Sequence, residues 1–214
     1  MLADVPPEDV RQVLQIARRR TFGRGEVVFH RDDPADSLHL IVKGRFAVRI
    51  TTPLGDTALL AVHGPGEAFG ELALLSSDAR RSATVAALEE AETRSVYRDD
   101  FARLQRRYPS VNSVLVALLA EELRRMNERI VEAHYLDADT RVRRRLLELA
   151  RLYGRDQETE VLIPLTQEEL AEMAGTSRAT VNRVLREEEK RGLIELLRGK
   201  TRLLDLPKLG KRIR

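Results

Sequence analysis

The sequence predicts an α+β protein in three successive parts: a small antiparallel β barrel or sandwich, one long helix, and a helical unit that carries a pair of strands. Three observations lead to this prediction. Apolar and β-branched segments alternate with tight turns over the first half of the chain. A long run without Gly or Pro follows Ser110, and beyond Asp137 the chain shows short capped helices with glycine-bearing turns. We therefore expect domains at residues 1–108, 109–137 and 138–214.

The composition excludes several classes of protein. The chain of 214 residues is long enough for two modest domains, each with its own core. It contains no cysteine, which excludes disulfides, thiolate zinc sites and cysteine-ligated iron–sulfur clusters. Its apolar runs are too short to span a membrane, and the N-terminal stretch MLADVPPEDV lacks the pattern of a signal peptide. We therefore expect a cytoplasmic protein without a membrane partner.

The charge is distributed unevenly along the chain. Residues 138–214 carry 18 Lys and Arg against 13 Asp and Glu, whereas residues 1–137 carry 19 against 21. Excess basic charge in the C-terminal third favours a module that binds a polyanion, joined to a module with another task. A solvated arginine-rich surface is the alternative that charge alone leaves open.

The first part has the pattern of short strands. The segments EVVFH, SLHLIVKG, RFAVRI and TALLAVHG are rich in apolar and β-branched residues, and turns containing Gly or Pro separate them. This spacing favours a small antiparallel barrel or sandwich. Sequence periodicity predicts one helix before these strands, at residues 7–18, and another after them, at residues 99–107.

One segment of this part, residues 69–85, carries an unusual combination of side chains. It reads FGELALLSSDARRSATV and places Gly70 and Glu71 ahead of Arg81 and Ser82. A glycine lets the backbone approach a ligand closely, a carboxylate accepts hydrogen bonds from hydroxyls, and a guanidinium beside a hydroxyl suits an anion. These residues fit either a binding site or a solvated turn, and the segment alone leaves both interpretations open.

The long run predicts a helix with two apolar faces. Alternating steps of three and four residues, typical of a coiled-coil seam, separate Val116, Leu119, Leu123, Met126, Ile130 and Ala133. A second apolar face, suited to packing on the barrel, consists of Val114, Leu115 and Leu118. A helix that packs through one face and exposes a seam on another usually dimerises, so we predict a homodimer. A helix buried inside a monomer is the alternative.

The last part predicts capped helices. Residues 140–153 read as a helix, followed by a polar loop at residues 155–160. Thr166 and Glu169 then form a capping box, in which each side chain satisfies a backbone N–H at the start of a helix. Gly175 ends that helix, so the pattern predicts a short helix followed by a tight turn.

A second short helix follows this turn. Ser177 caps it, and Val181, Val184 and Leu185 form its buried face. Two short helices joined by a glycine-bearing turn have the form of a helix-turn-helix. The next segment, GLIELLRGKTRLLDL, predicts two strands around a turn and reads as a wing. The last part is therefore predicted to be a winged helix-turn-helix.

The polar face of this second helix predicts binding to double-stranded DNA. Arginines one and two helical turns apart reach base edges and phosphates in a major groove, where a guanidinium pairs with guanine. A solvated arginine face is the alternative, but the turn chemistry, the wing and the regional charge favour DNA. The predicted DNA-binding residues are Thr166, Gln167, Ser177, Arg178, Ala179, Thr180, Asn182, Arg183, Arg186 and Lys200.

Taken in order, these motifs resemble the Crp/Fnr family of bacterial transcription factors, the cyclic-AMP receptor protein and fumarate-nitrate reductase regulator family. The resemblance covers nearly the whole chain: GELALL and RRSATV in the β part, the long helix, the join HYLDADTRVRRRLLELA, and LTQEELAEMAGTSRATVNRVL. It implies a cyclic-nucleotide-binding-like β jelly roll, a dimerisation helix and a winged helix-turn-helix. It also implies a palindromic promoter site and RNA polymerase as a partner.

The resemblance assigns roles to the segment at residues 69–85. Gly70 and Glu71 match the ribose side of the family's phosphate-binding cassette, and Arg81 and Ser82 match its phosphate side. Arg80 has no role and is expected to be exposed. On the long helix, cyclic-AMP binders present a threonine to the adenine, followed by a serine or asparagine from the partner subunit. The matching residues here are Met126 and Asn127, so the base-reading half of the site is altered.

The family also implies how the recognition helix reads DNA. Its members place Arg, Glu and Arg there to read a TGTGA-like half-site, and this chain has Arg178, Ala179 and Arg183. A carboxylate accepts a hydrogen bond from cytosine, whereas alanine contacts at most a thymine methyl group. The preference at the base pair opposite Ala179 is therefore expected to differ.

Three functions remain in consideration. The first is a transcription factor controlled by a small ligand such as cyclic AMP. The second is the same fold acting without a ligand, and the third is a cyclic-nucleotide regulatory module of a kinase or channel, which the helix-turn-helix disfavours. The spacing of the four histidines predicts neither a metal site nor haem. No nucleophile–base pair stands out, so an enzyme is not predicted.

Overall fold

A computed structural model describes residues 6–75, 78–154 and 160–213. These residues form two compact units, one made of residues up to 50 and from 61 to 128, and the other of residues 51–60 and from 129 onward. Of the polar loop predicted at residues 155–160, only Glu160 lies within the described residues.

The elements up to the long helix follow the predicted order of strands between helices. In chain order they are α1 (Pro7–Ile16), β1 (Arg18–Phe22), β2 (Val27–Phe29), β3 (Ser37–Lys43), β4 (Phe46–Thr51), β5 (Thr57–His63), β6 (Ala68–Phe69), β7 (Thr84–Ala87), β8 (Ala91–Tyr97), α2 (Arg98–Arg107) and α3 (Asn112–Tyr135). Single turns of 3₁₀ helix occur at Glu71–Leu74 and Pro109–Val111.

The strands form two four-stranded sheets, as expected for a jelly roll. One sheet has the order β1-β8-β3-β6 and the other the order β2-β7-β4-β5. The paired strands are antiparallel, and non-consecutive neighbours such as β3 and β8 show the crossovers of this fold. The predicted fold class is therefore confirmed. Sequence patterns missed β1, since its residues RRRTF are mostly charged and exposed.

Two details of the first part differ from the prediction. The first helix ends at Ile16 rather than residue 18, because Ala17 adopts an extended backbone and Arg18 begins β1, opposite Ser95 of β8. The apolar stretch after Gly70 is a 3₁₀ turn at Glu71–Leu74, so the segment is not a simple hairpin.

Two apolar cores stabilise this part. One contains residues of both sheets, namely Phe22, Ile41, Phe46, Phe69, Val85, Ala87 and Ala91. The other joins the barrel to α1, α2 and α3, and contains Val13, Leu38, Val96, Phe101, Leu104, Val111, Val114, Leu115 and Leu118. The predicted packing of the second apolar face of the long helix on the barrel is therefore confirmed.

The seam face of α3 is largely exposed in the single chain. Leu123 is 59% exposed, and Val116, Met126 and Ile130 are exposed to a similar degree, while Leu119 is partly buried. Exposure of such a row of apolar side chains to water is unfavourable, so burial of this face against another surface would be stabilising. No helix in the described part of the chain, α3 included, is long and apolar enough to cross a membrane.

The remaining elements form the predicted winged helix-turn-helix. They are α4 (Ala138–Tyr153), β9 (Val161–Ile163), α5 (Gln167–Ala174), α6 (Arg178–Lys190), β10 (Ile194–Leu197), β11 (Lys200–Leu203) and α7 (Leu206–Lys211). The sequence analysis missed β9, which completes a three-stranded sheet in the order β10-β11-β9, and α7.

The capping signals that predicted the two short helices are confirmed. Both hydrogen bonds of the capping box join Thr166 and Glu169, and Gly175 ends α5 in the left-handed region at φ 59°. The Ser177 side chain accepts a hydrogen bond from the Thr180 backbone at the start of α6. These local contacts determine where α5 ends and where α6 begins.

A buried ion pair joins Glu188 of α6 to Arg143 of α4. Glu188 is 0% exposed, and its Oε1 accepts hydrogen bonds from Arg143 Nε at 2.8 Å and from Arg212 Nε at 2.9 Å. Arg143 is 7% exposed, whereas the side chain of Arg212 is 28% exposed and can reach water. Removing one partner from such a pair leaves an uncompensated buried charge.

We expect Glu188→Leu to lower the free energy of unfolding by about 3–5 kcal/mol, because Arg143 then remains buried and keeps only its longer contact with Glu187, at 3.6 Å. Combining it with Arg143→Met should restore most of this loss, since both charges then leave the interior. Chemical denaturation followed by circular dichroism measures both effects. Glu195→Leu, at an exposed pair with Arg202, serves as the control. A single Glu188 variant as stable as the control would contradict the prediction.

Candidate functional site

Gly70 and Arg81 lie against each other in the β part of the chain. Gly70 has φ 82°, in the left-handed region. A Cβ atom on this residue would lie 2.7 Å from Arg81 Nη1 and 3.0 Å from the Ser37 carbonyl oxygen. Any side chain at Gly70 would therefore both strain the backbone and displace the guanidinium. The glycine is needed here because the arginine lies directly against it.

Arg81 is buried, with 5% of its surface exposed. Its Nη1 donates to the Ser37 carbonyl oxygen at 2.7 Å, and its Nη2 donates to Asp36 Oδ1 and Ser37 Oγ, each at 3.1 Å. The guanidinium also lies 3.9 Å from the ring centroid of Phe29. Its Nε is buried and has no hydrogen-bond partner among the described residues. The Nε–H is thus left for an acceptor that the described residues do not provide.

A network of polar side chains continues from Arg81 into the core. Ser37 Oγ lies 3.4 Å from His39 Nε2, and His39 Nδ1 lies 3.1 Å from Thr93 Oγ1 and 3.0 Å from Ser95 Oγ. The His39 ring stacks on Phe69 with centroids 5.0 Å apart. Burial, together with the positive charge of Arg81, lowers the pKa of His39 to about 3. His39 is therefore a neutral core residue.

The other cassette residues lie at the edge of this cluster. Glu71 begins the 3₁₀ turn that follows Gly70, and burial raises its pKa, with a smaller contribution from the Glu122 carboxylate on α3. Ser82 and Arg80 are exposed, which confirms the expectation for Arg80. The Arg80 guanidinium donates to the Asp32 carbonyl oxygen at 3.2 Å.

Met126 and Asn127 are both exposed on α3. No described hydrogen bond joins either residue to the cassette. The preceding residue, Arg125, contacts the barrel instead, since its Nη2 donates to Glu67 Oε1 at 3.0 Å and its Nη1 lies 3.0 Å from His63 Nδ1. The pKa of Glu67 falls to about 2, because hydrogen bonds and nearby positive charge outweigh its burial.

The predicted DNA-binding residues are all at least partly accessible in the second unit. The exposed ones are Thr166, Ser177, Arg178, Ala179, Asn182, Arg183, Arg186 and Lys200, and the partly exposed ones are Gln167 and Thr180. The opposite face of α6 is buried through Val181, Val184 and Leu185. The core therefore fixes which side of α6 is available to a partner.

Acidic partners hold two of the three arginines on α6. Arg183 forms a bidentate ion pair with Asp139 of α4, and Arg186 Nη1 donates to Glu189 Oε2 at 2.6 Å. Arg178 has no ion pair with a described residue. Sequence reasoning missed Asp139, as it missed Asp36 and Ser37 around Arg81, because each lies more than forty positions from its arginine. No local pattern in the sequence points to these partners.

Two family models match the chain. A cyclic nucleotide-binding domain matches residues 19–108, and a Crp-like helix-turn-helix domain matches residues 140–212. The cyclic AMP receptor protein of Thermus thermophilus is 36% identical over 190 residues, which cover 89% of this chain and 85% of that protein. A CRP-like cAMP-activated global transcriptional regulator of Mycobacterium tuberculosis is 34% identical over 196 residues, covering 90% and 87%.

Solved structures also resemble the chain. FixK2 from Bradyrhizobium japonicum has a TM-score of 0.79 at 22% identity, covering 92% of this chain and 96% of that one, and this likeness shows the fold alone. A CRP/FNR-family transcriptional regulator of Thermus thermophilus has a TM-score of 0.74 at 26% identity, covering 92% and 98%.

The buried His39 makes stability depend on pH. Below about pH 6.5 the unfolded chain protonates this histidine, whereas the folded chain excludes the proton down to about pH 3. The free energy of unfolding should therefore fall as pH falls through this window, by up to about 1.4 kcal/mol per pH unit.

His39→Gln should remove this contribution between pH 6.5 and 4.5. In that range the lowered pKa of Glu67 does not make stability depend on pH, because its carboxyl is ionised in both the folded and the unfolded chain. Denaturation of both proteins across that range measures it, and the difference cancels the opposite contribution of Glu71, whose pKa is raised. Parallel stability profiles for the two proteins would contradict the prediction.

Proposed function

Since the chain belongs to the Crp/Fnr family of DNA-binding transcription regulators, we propose that cyclic AMP, held by the cassette of the jelly roll, controls its binding to DNA. Gly70 and Glu71 would contact the ribose, and Arg81 and Ser82 the cyclic phosphate. As a regulator that binds bacterial DNA, the protein would work in the cytoplasm.

One observation carries the ligand proposal: Arg81 is held against Gly70 with a buried Nε–H that lacks an acceptor. A phosphate oxygen is an acceptor of the right charge, and charge-assisted hydrogen bonds to guanidinium are strong. The exposed hydroxyl of Ser82 and the carboxyl of Glu71 supply a donor and an acceptor nearby. The residues present therefore fit a cyclic phosphate with its ribose.

A second candidate is a regulator of the same fold that needs no small ligand. Three of the other N–H donors of Arg81 are already bound by Asp36 and Ser37, so the core is largely satisfied without an anion. At the position where cyclic-AMP binders present a threonine, Met126 offers only a weakly accepting thioether. Titration with cyclic AMP separates the two candidates.

The dimer supplies the connection between ligand and DNA. Regulators of this family act as dimers, and the exposed seam of α3 supports a dimer joined along that helix. A ligand bound beside α3 changes the equilibrium between dimer conformations only if it binds the DNA-competent one more tightly. Asn127 would contribute from the partner subunit, as in the family's cyclic-AMP binders.

The DNA site follows from the two-fold symmetry of such a dimer. We expect a palindromic promoter site with half-sites about one helical turn apart, and RNA polymerase as the further partner. Arg178 and Arg183 would select guanines. The other predicted residues would contact the DNA backbone or neighbouring bases. They are Thr166, Gln167, Ser177, Thr180, Asn182, Arg186 and Lys200.

We expect Arg81→Gln to weaken cyclic-AMP binding by about 10- to 100-fold, because a charged hydrogen bond to the phosphate is lost. Calorimetric titration measures this, and circular dichroism checks that the variant remains folded. Arg80→Gln is the matched control, since it removes the neighbouring exposed arginine and should leave the affinity unchanged. Equal affinity in both variants would contradict the cassette assignment, and no binding by the natural protein would favour the second candidate.

We expect Ala179→Glu to sharpen selection at one base pair of the half-site by about 1–3 kcal/mol, because the new carboxylate accepts a hydrogen bond from a cytosine amino group. Selection from randomised duplexes with both proteins measures the change. Arg178→Ala should instead weaken binding generally and relax the guanine preference at its own position. Identical base preferences at all positions would show that residue 179 does not face a base.

A further inference from the structure

An acidic residue of α4 holds one of the predicted base-reading arginines. Asp139 Oδ2 accepts from Arg183 Nη1 at 2.9 Å, and Asp139 Oδ1 accepts from Arg183 Nη2. Glu187, one turn further along α6, accepts from Nη1 at 3.3 Å. The Arg183 side chain is nevertheless 53% exposed, so its ion pairs leave part of the guanidinium open to a partner.

The open part is the edge that suits guanine. A guanidinium has five N–H donors. Asp139 takes one from each terminal nitrogen, and Glu187 lies within reach of the other donor on Nη1. Among the described residues, none accepts a hydrogen bond from the Nε–H or from the remaining N–H of Nη2, and these two donors lie side by side on one edge of the fork. Two parallel donors of this kind match the O6 and N7 acceptors of guanine in the major groove.

Asp139 stands on a different helix from Arg183, whereas Glu187 and Glu189 stand on α6 itself. It stands in the first turn of α4, which begins at the cap formed by Asp137 and is anchored by the fully buried Val142 and Leu146. Glu189, by contrast, holds Arg186 from within the same exposed helix. A partner on a second, core-packed helix restricts a long side chain more than a neighbour on its own surface does.

We propose that Asp139 is a positioning residue, which fixes Arg183 in the orientation that reads guanine and thereby sets base selectivity at that position. The inference rests on the proposed function of α6 as the recognition helix. It has two consequences of opposite sign. Loss of the Asp139 charge lowers selectivity, because Arg183 becomes free to reach phosphates or other bases. The same loss raises affinity for unrelated DNA, because a carboxylate no longer faces the polyanion.

The experiment uses the full-length dimer under the ligand condition in which it binds DNA. Site selection with the natural protein and with Arg183→Ala identifies the base pair that Arg183 reads. Competition titrations at fixed salt then compare duplexes that differ only at this pair, for the natural protein, Asp139→Asn and Asp139→Ser. Glu189→Gln is the matched control, because it frees Arg186 and removes one carboxylate without touching Arg183. Thermal unfolding checks that each variant is folded.

We expect both Asp139 variants to lose about ten-fold of the guanine preference at this pair and to bind unrelated DNA more tightly. Glu189→Gln should bind unrelated DNA more tightly with its preference intact. Tighter binding with the preference retained in the Asp139 variants would overturn the proposal, since Asp139 would then only compete with DNA. If the Asp139 variants bind both the matched duplexes and unrelated DNA as the natural protein does, the proposal is overturned as well. If Arg183→Ala alters no base pair, the assignment of Arg183 itself fails, and the positioning role fails with it.

Discussion

The two apolar faces of α3 set the constraint on which the rest of the molecule depends. One face, formed by Val114, Leu115 and Leu118, completes the core beneath the barrel. The other leaves Leu123 and its neighbours on the seam in water. A single chain cannot bury both faces of one straight helix when only one lies against its own core. A second copy covers the seam most simply, and regulators of this family act as dimers.

Buried guanidinium groups are the second organising feature. Arg81 in the barrel and Arg143 beneath α6 are both taken out of water, and each is held by acceptors from distant parts of the chain. The two differ in one respect that matters for function. Arg143 meets a fully buried carboxylate, whereas Arg81 meets Asp36, whose side chain is largely exposed, and its buried Nε has no partner among the described residues. The first arrangement stabilises a fold, and the second is suited to an anionic ligand.

The recognition helix combines basic charge with acidic partners. Excess Lys and Arg in the C-terminal part attracts a polyanion at long range, but this attraction carries no sequence information. Ion pairs such as that of Arg183 with Asp139 limit the orientations of the side chain before DNA arrives. Under the proposed function, basic charge in this unit favours affinity, and Asp139 favours discrimination.

The sequence by itself determined the elements that local interactions specify. The capping box at Thr166, the glycine end at Gly175 and the Ser177 cap depend on residues three or four positions apart, and all were predictable. The same holds for the alternation of short strands and turns, and for the two faces of α3. The strand β1 was not predicted, because its exposed arginines do not form the apolar pattern of a strand.

Only the tertiary structure decided which charges meet. The acceptors Ser37, Asp139 and Glu188 lie 44 or 45 positions from Arg81, Arg183 and Arg143 respectively, at separations that no periodic pattern encodes. Their pairing follows from closure of the barrel and from the packing of α4 under α6, which depend on the whole core. The residue types of the cassette could be read from the sequence. The burial of Arg81, the neutral state of His39 and the ion pair of Asp139 with Arg183 could not.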